Sequence, residues 1–412
     1  MKENSLEAMR EALRLTQAGR LQEATAAIQR ALNAATGVNA ATATTPPAGG
    51  QGDVFDSSAH ILPPASAASQ PPVAPVDAPH VDDAQARPAV APADADAAAR
   101  AGAGEFISGK YTHELNSRHY KLFIPPAAGG RPMPLVVMLH GCTQDPDDFA
   151  AGTGMNERAR EQGFYVLYPA QSKTANASRC WNWFMHEHQR RGSGEPALLA
   201  GMTRAVIEQH CIDRRRVYIA GLSAGGAMAA IVASEYPEIF AAVGVHSGLA
   251  QGAASDMAGA LTVMKSGVAP AGPRAMASRV GISLSAAPRP GTSPPAIVFH
   301  GDADRTVHPR NGEQVIAAAL GRGGADRTGE ASASAATSPR VEQGVSAQGA
   351  RYTRSTHQDD GSGAIAEHWL VHGAGHAWAG GRPAGSFTDA TGPDATSEML
   401  RFFFAHPLAG ET

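Results

Sequence analysis

A serine stands between two glycines in the pentapeptide Gly221–Gly225, of sequence GLSAG. The apolar run Val217–Ala220 precedes it and the helix-forming run Ala227–Ser234 follows it, so the pattern predicts a strand, a sharp turn and a helix. Such a turn lifts the hydroxyl of Ser223 clear of the backbone above a helix N-terminus, where it can act as a nucleophile. The alternative is an ordinary strand-to-helix turn with a capping serine.

A serine hydroxyl stays protonated at neutral pH, so a serine nucleophile needs a histidine that takes its proton and an acid that orients the histidine. His376 meets the first need, because it lies in a glycine-rich loop after the strand-like run Trp369–Val371. Asp302 and Asp304 follow another such run. Asp304, further onto the loop, is the predicted acid and Asp302 the reserve, with turn formation as the other expected role of the pair. The order Ser223, Asp304, His376 is that of the α/β-hydrolase class.

His372 and His376 also have the four-residue spacing of a helical metal-binding pair. Two of the three residues between them are glycines and none is acidic, so a helix and a zinc site are both disfavoured. The sequence therefore predicts neither a metal nor a cofactor.

Acyl transfer to a serine also needs two N–H donors for the oxyanion that forms. The amide of Ala224, directly after the serine, is the first predicted donor. The second is expected from the loop Leu139–Gln144, of sequence LHGCTQ, where the amides of Cys142 and Thr143 are the candidates. Cys142 as a second nucleophile is disfavoured because the serine already fills that role.

Strand-like and helical runs alternate along the chain and must position these loops. Apolar runs typical of strands buried on both faces of a parallel sheet occur at Leu135–Leu139, Phe164–Tyr168, Val217–Ala220, Ala241–Val245, Ala296–Phe299 and Trp369–Val371. Helical patterns occur at Ala150–Gln162, Pro196–Gln209, Ala227–Ser234, Asn311–Leu320 and Ala395–Phe404. The alternation predicts an α/β fold with a mostly parallel, doubly wound sheet.

Three further segments precede or interrupt this alternation. Phe106–Tyr111 and His119–Ile124 predict a hairpin that turns at Asn116–Ser117. Ala250–Pro295 is predicted to form a loop or lid insertion, and Gly321–Ala350, rich in small residues, a mobile low-complexity loop.

The first hundred residues differ from the rest in composition and in the spacing of apolar residues. Residues 1–34 contain two short stretches with helical spacing and predict a helical hairpin, either a packed appendage or a docking element for a granule or partner protein. Residues 35–103 are dominated by Ala, Pro, Gly, Asp and Ser and predict a disordered linker. The catalytic domain is therefore expected over residues 104–408.

Composition narrows the class of function. Basic and acidic residues number 34 and 38, which gives a net charge of −4, so nucleic-acid binding is not expected and a neutral substrate is. The first residues carry charges every few positions, and no run is long and apolar enough to span a bilayer. With only three cysteines, the expectation is a cytoplasmic, mostly reduced protein without a membrane span.

Short blocks around the residues named above form a specific combination. They are Leu139–Gln144, Cys180–Phe184 (CWNWF), Arg215–Met228 (RRVYIAGLSAGGAM), Val298–Pro309 (VFHGDADRTVHP) and His372–Trp378 (HGAGHAW), followed by Gly385–Asp389, Gly392–Asp394 and Glu398–Met399. Together they resemble the poly(3-hydroxybutyrate) depolymerase-type esterases of the α/β-hydrolase superfamily.

The resemblance implies an α/β-hydrolase fold and an acyl-enzyme on Ser223, with Asp304 and His376 completing a catalytic triad. It also suggests substrate contacts, and the candidates are His140, Gln144, Trp181, Trp183 and Trp378, core packing being the alternative for the tryptophans. A Cys142–Cys180 disulfide is expected only if the protein meets an oxidising compartment and the two Cα atoms lie within bonding distance.

Relatives of this type act on polyesters, feruloyl esters or acetylated xylan, so the resemblance leaves the substrate open. The main prediction is a serine esterase for polyhydroxyalkanoate-type polyester or oligomers, and the first alternative is a feruloyl or acetylxylan esterase. The remaining alternatives are a catalytically inactive, hydrolase-like binding module and an enzyme that cleaves peptide bonds.

Overall fold

The computed structural model describes residues 102–113, 116–267, 294–321, 338–359 and 363–409, all within the unit Arg87–Thr412. The hairpin predicted for residues 1–34 and nearly all of the linker predicted for 35–103 lie outside the described residues.

Two sheets account for the described strands. The large sheet contains β1 (Glu105–His113), β2 (Asn116–Ile124), β3 (Met133–Leu139), β4 (Tyr165–Pro169), β5 (Ile212–Leu222), β6 (Ala242–His246), β7 (Ala296–Gly301), β8 (Arg340–Val345), β9 (Arg351–Asp359) and β10 (Gly363–Val371). A two-stranded sheet pairs β11 (Trp378–Ala379) with β12 (Thr388–Asp389).

The described α-helices lie between these strands and after the last of them. They are α1 (Pro146–Thr153), α2 (Met155–Gln162), α3 (Gly194–Gln209), α4 (Ala224–Glu235), α5 (Met257–Ser266), α6 (Arg310–Ala319) and α7 (Ala395–Phe404), with a short 3₁₀ helix at His186–Gln189. Among these described helices, none combines the length and the apolar character that crossing a bilayer would require.

The large sheet has the strand order β1-β2-β4-β3-β5-β6-β7-β10-β9-β8. Its six inner strands, β4 to β10 in that order, run parallel, and antiparallel strands flank them on both sides. Every residue of β3, β4, β6 and β7 is buried, because helices cover both faces and form two apolar clusters. The loops that leave β3, β5, β7 and β10 therefore emerge along one edge of the sheet.

The predicted α/β alternation is confirmed, but several boundaries differ. The single helix predicted for Ala150–Gln162 is two helices, which separate at Gly154 where φ is 63°. Glycine adopts this left-handed conformation without steric cost, and it ends α1. The hairpin turn was placed wrongly, because Asn116 and Ser117 belong to β2 and pair with His113 and Thr112.

Two predicted loops contain regular structure. Helix α5 lies within the predicted insertion Ala250–Pro295. Strand β8 lies within Gly321–Ala350 and pairs with β9 at the edge of the sheet. Its residues are exposed or half-buried, so it has no apolar run that the sequence could reveal, and its pairing with β9 defines it.

Candidate active site

The GLSAG turn joins the central strand β5 to helix α4. Ser223 has φ 58° and ψ −120°, a strained conformation for a residue with a side chain. A Cβ on Gly221 would lie 2.4 Å from the carbonyl carbon of Gly225, and a Cβ on Gly225 would lie 2.1 Å from the carbonyl oxygen of Leu139. Both glycines are therefore required for the turn to pack against α4 and β3.

The side chain of Ser223 is not used as a helix cap. It stands at the N-cap position of α4 but makes no capping hydrogen bond, and 9% of the residue is exposed. Its backbone amide instead donates a 2.9 Å hydrogen bond to the carbonyl oxygen of His246 on the neighbouring strand β6. The hydroxyl is left available, above the positive end of a helix dipole.

Asp304 and His376 form an acid–base pair in which the carboxylate is buried and the imidazole is partly buried. The Nδ1 atom of His376 lies 2.7 Å from Oδ2 of Asp304, and 12% and 0% of the two side chains are exposed. Oδ1 of Asp304 accepts the amides of Thr306 and Val307 at 2.8 and 2.9 Å. The carboxylate is thus fixed on one side by the backbone and presents its other oxygen to the imidazole.

His300 is a further partner of this carboxylate. It is buried, its Nε2 donates to the carbonyl oxygen of Val307 at 2.8 Å, and the same nitrogen lies 3.5 Å from Oδ2 of Asp304. Burial alone would raise the pKa of Asp304, but hydrogen bonds from His300, His376 and the Val307 amide outweigh it and hold the pKa well below its usual range. Asp304 is therefore ionised at neutral pH.

Asp302, the reserve acid, belongs to a second pair. Its Oδ2 lies 2.8 Å from Nδ1 of His372, and its Oδ1 accepts the Gly373 amide at 2.7 Å. About a third of each side chain of this pair is exposed, at 38% for Asp302 and 32% for His372. The two histidines that share the metal-pair spacing thus bind different aspartates.

The oxyanion candidates differ in what their amides already bind. The amide of Thr143 donates a 2.7 Å hydrogen bond to the carbonyl oxygen of Ser178, and Thr143 has φ 68°. The geometry therefore favours Cys142 over Thr143 as the donor from this loop. Ala224 is the first residue of α4, where a backbone amide has no partner within the helix.

His140 and Gln144, proposed from the sequence as substrate contacts, are 1% and 2% exposed, and their side chains support the loop Leu139–Gln144. His140 donates from Nδ1 to Gly141 O at 2.8 Å and accepts the Gln171 amide on Nε2 at 3.1 Å, and burial lowers its pKa. Gln144 accepts the Gly141 amide at 2.9 Å and donates to Asp148 and Ser386. Both side chains thus bond to the loop backbone at Gly141 and also connect the loop to neighbouring segments.

The three tryptophans are buried as well. Trp181, Trp183 and Trp378 are 0%, 3% and 1% exposed. The indole of Trp181 donates to the carbonyl oxygen of His140 at 3.1 Å, and that of Trp378 donates to Thr396 at 3.0 Å. Their burial favours core packing, the alternative that the sequence left open, and their contact with substrate stays a prediction.

A disulfide joins Cys142 of the oxyanion loop to Cys180, while Cys211 is a free thiol. This bond departs from the reduced protein that the cysteine count suggested. The linked segment is held by the buried Glu195, which is 2% exposed and accepts the backbone amide and the side chain of Asn182 at 2.8 and 2.9 Å. Sequence reasoning missed Glu195, because a lone glutamate at the start of a helix has no distinguishing pattern.

His246 was also missed, although it lies beside the GLSAG turn, strand β7 and the segment that follows His376. It ends β6, is 1% exposed, and bonds to the backbone of Ser223 and Ala379. A histidine at the end of an apolar run is the only sequence signal, and it is too common to indicate a role.

The chain is similar to known esterases in sequence and in fold. The chain is 36% identical over 201 residues to poly(3-hydroxyalkanoate) depolymerase C of Paucimonas lemoignei, covering 48% of this chain and 47% of that protein. It is 29% identical over 198 residues to feruloyl esterase B of Thermothelomyces thermophilus, covering 47% and 67%. The chain thus spans about half the length of the depolymerase that it matches.

Among solved structures, an acetyl xylan esterase from Aspergillus awamori superposes with a TM-score of 0.54 at 20% identity, over 73% of this chain and 99% of that one. At this identity the likeness concerns the fold, which is that of an α/β hydrolase. A model of the family described as esterase PHB depolymerase matches residues 118–342, which is more than half of the chain. The chain therefore belongs to the esterase PHB depolymerase family.

Proposed function

We propose that this protein is a serine esterase that hydrolyses carboxylic esters through an acyl-enzyme on Ser223. The observation that carries the proposal is a serine on a strained turn, with no capping hydrogen bond, at the same sheet edge as the hydrogen-bonded Asp304–His376 pair. Because Nδ1 of His376 donates to Asp304, its Nε2 carries the lone pair that a general base needs. Asp304 then stabilises the imidazolium that forms.

The reaction follows from these roles. Nε2 of His376 takes the hydroxyl proton as Oγ of Ser223 attacks the ester carbonyl carbon, and the amides of Ala224 and Cys142 stabilise the oxyanion. The intermediate collapses to the acyl-enzyme, and the leaving alcohol takes the proton from His376. A water then loses a proton to His376, attacks the acyl carbon, and releases the acid with regeneration of Ser223.

The decisive experiment compares Ser223→Ala with Ser193→Ala on a short p-nitrophenyl ester. Ser193 is a matched control because it also stands at a helix N-terminus, that of α3. We expect Ser223→Ala to abolish turnover and labelling by a fluorophosphonate probe, and Ser193→Ala to retain both. A folded wild-type protein that neither turns over esters nor reacts with the probe would support the inactive binding module instead.

For the substrate we propose a polyhydroxyalkanoate-type polyester or its oligomers. Support comes from the named activity of the Paucimonas lemoignei relative, while the named activity of the Thermothelomyces thermophilus relative supports the feruloyl alternative. A panel of hydroxybutyrate oligomers, feruloyl esters, acetylated xylan and matched amides separates them. Turnover confined to feruloyl or acetyl esters would remove the polyester proposal, and turnover of the amides would support the peptidase alternative.

We further propose that residues 1–34 dock the enzyme on a polymer granule or a partner protein. The argument is the helical spacing of Leu6, Met9 and Leu13, which would give one helix an apolar face. Replacing these three residues by serine in the full chain should reduce binding to polyhydroxybutyrate granules and leave turnover of a soluble ester unchanged. Equal granule binding by the variant would refute the proposal.

The compartment is proposed from two opposing features. The small number of cysteines favours the cytoplasm, whereas the Cys142–Cys180 disulfide favours an oxidising compartment. Cell fractionation combined with alkylation of free thiols decides between them. One alkylated cysteine per chain before reduction and three after it indicates that the disulfide is present in that fraction.

A further inference from the structure

His246 occupies a central place in the sheet without belonging to the catalytic triad. It is the last residue of β6, pairs in register with Leu222 on β5 and with Phe299 on β7, and is 1% exposed. Leu222 directly precedes the nucleophile, so the backbone of His246 lies beside the GLSAG turn.

The backbone of His246 holds the nucleophile. Its carbonyl oxygen accepts the amide of Ser223 at 2.9 Å. Ser223 is the residue of the turn that combines a side chain with a positive φ, so this hydrogen bond supports its strained conformation.

The side chain of His246 holds the loop that carries the base. Its Nε2 accepts the backbone amide of Ala379 at 2.9 Å. A backbone amide can only donate, so Nε2 carries the lone pair and the proton lies on Nδ1. Nδ1 in turn lies 3.2 Å from the hydroxyl oxygen of Ser247, which accepts that proton.

The ring of His246 makes a second contact with the same loop. It stacks on Trp378 with a centroid distance of 5.1 Å and on Phe299 with one of 5.8 Å. Trp378 and Ala379 are the second and third residues after His376. One side chain therefore fixes the segment that directly follows the general base.

His246 itself does not take part in proton transfer. Both ring nitrogens are used, and burial, together with the nearby His300 and His376, lowers its pKa to about 3, against the smaller opposing effect of Asp304. The imidazole is therefore neutral throughout the working range, and a neutral acceptor beside His376 does not repel the imidazolium that forms during catalysis.

We propose that His246 is a positioning residue that sets the distance and orientation of His376 relative to Ser223. The carbonyl oxygen of His246 accepts the Ser223 amide, and Nε2 of its side chain accepts the Ala379 amide. One residue is therefore bonded both to the nucleophile and to the segment that follows the general base. The inference rests on the proposed esterase function, since it assigns a role within that site.

Two substitutions distinguish the role of the hydrogen-bond acceptor of His246 from that of its aromatic ring. His246→Gln places a carbonyl oxygen near the position of Nε2 and loses the aromatic stack, whereas His246→Phe keeps the stack and loses the acceptor. We expect His246→Phe to lower kcat about 10- to 100-fold with KM unchanged, because a displacement of about 1 Å costs up to about a hundredfold. We expect His246→Gln to stay within about fivefold of wild type.

Two measurements distinguish positioning from stability. Hydrogen exchange of the peptide that contains Ala379 should accelerate at least about tenfold in His246→Phe and return toward wild type in His246→Gln, because an unbonded amide exchanges faster. The Tm is measured alongside. Wild-type kcat in folded His246→Phe, or equal losses of kcat in both variants that follow their Tm, would overturn the proposal.

The exchange measurement also keeps this inference separate from the proposed function. If Ser223→Ala retained full activity, the esterase assignment would fail, while protection of the Ala379 amide would still report whether His246 holds the loop. Unchanged exchange in His246→Phe together with inactive Ser223→Ala would leave the esterase standing and refute the role of His246.

Discussion

The Asp304→Asn substitution keeps the shape of the proposed acid and removes its charge. In the wild-type protein Oδ1 accepts two backbone amides, those of Thr306 and Val307, and Oδ2 accepts Nδ1–H of His376. The side-chain amide of the variant must keep its carbonyl oxygen toward the two backbone donors, because the reverse orientation would set an NH₂ group against both. It therefore turns its NH₂ group toward His376, which then accepts on Nδ1 and carries its proton on Nε2.

In this tautomer Nε2 of His376 carries a proton, so that nitrogen has no lone pair to take the proton of Ser223. Returning to the productive tautomer sacrifices a buried hydrogen bond, at about 1–3 kcal/mol. The imidazolium formed in the transition state loses its charged partner, at about 3 kcal/mol more, since hydrogen bonds to charged groups contribute about 1.5–3 kcal/mol and a broken buried pair costs about 3–5. The sum, about 4–6 kcal/mol, corresponds to a loss of about 10³- to 10⁴-fold at about 1.4 kcal/mol per tenfold.

The assay is kcat/KM on a p-nitrophenyl ester from pH 5 to 9, with circular dichroism and Tm to establish folding. Asp302→Asn is the matched control, because Asp302 bonds a histidine at 2.8 Å on the same loop, as Asp304 does at 2.7 Å. The Asp302–His372 pair is partly exposed and therefore worth about 0–1 kcal/mol, so its loss should change kcat/KM by no more than about fivefold.

The outcome that would refute this reasoning is specific. If Asp302→Asn impaired catalysis as much as Asp304→Asn, or if folded Asp304→Asn retained more than about a tenth of wild-type kcat/KM, the acid would not be Asp304. Activity of Asp304→Asn that recovered toward wild type at high pH would point to a different cause than the tautomer, since asparagine does not titrate.

Three further predictions concern the surroundings of the triad. Gly225→Ala should abolish labelling by a fluorophosphonate, because its Cβ would meet the carbonyl oxygen of Leu139 at 2.1 Å; a normally labelled variant would show that the turn relaxes. Cys180→Ser should lower the free energy of unfolding by up to about 4 kcal/mol for a separation of 38 residues, measured by urea unfolding without and with reductant; a loss that persists when both proteins are reduced would have another origin. The wild-type protein should lose stability as pH falls from about 6.5 toward 3. In this range His246 binds a proton in the unfolded state, whereas in the folded state its pKa of about 3 keeps it neutral. His246→Gln should flatten this loss by up to about 1.4 kcal/mol per pH unit in urea titrations, and identical slopes would argue against the buried neutral imidazole.

Much of the fold was predictable because parallel strands buried on both faces have an uninterrupted apolar sequence. Leu135–Leu139 and Ala296–Phe299 are such runs, and both lie in inner strands of the sheet. The amphipathic run Ala395–Phe404 matches α7 at both ends. Strand β8 escaped prediction because an exposed edge strand buries little, so the partner β9 rather than its own composition determines it.

Local patterns are enough to predict the candidate catalytic residues, whereas the contacts that choose among the candidates lie outside such patterns. A glycine-flanked serine and loops that follow apolar runs are contiguous features of the chain. The choice between Cys142 and Thr143 depends on whether Ser178 accepts the Thr143 amide, and the choice between Asp302 and Asp304 on which histidine each meets. None of these contacts can be read from the sequence.

The sequence by itself therefore determined the class of fold and the residue types that the proposed chemistry needs, because hydrophobic period and turn chemistry act over a few neighbouring residues. Only the tertiary structure shows which of these residues are bonded to one another and which are buried away from the proposed site. Trp378, two residues from His376, lies in the core, while His246, 130 residues before that base, holds its loop. The physical reason is that burial and hydrogen-bond partners depend on which strands become neighbours, and the strand order of the sheet brings β6 between the nucleophile and the acid.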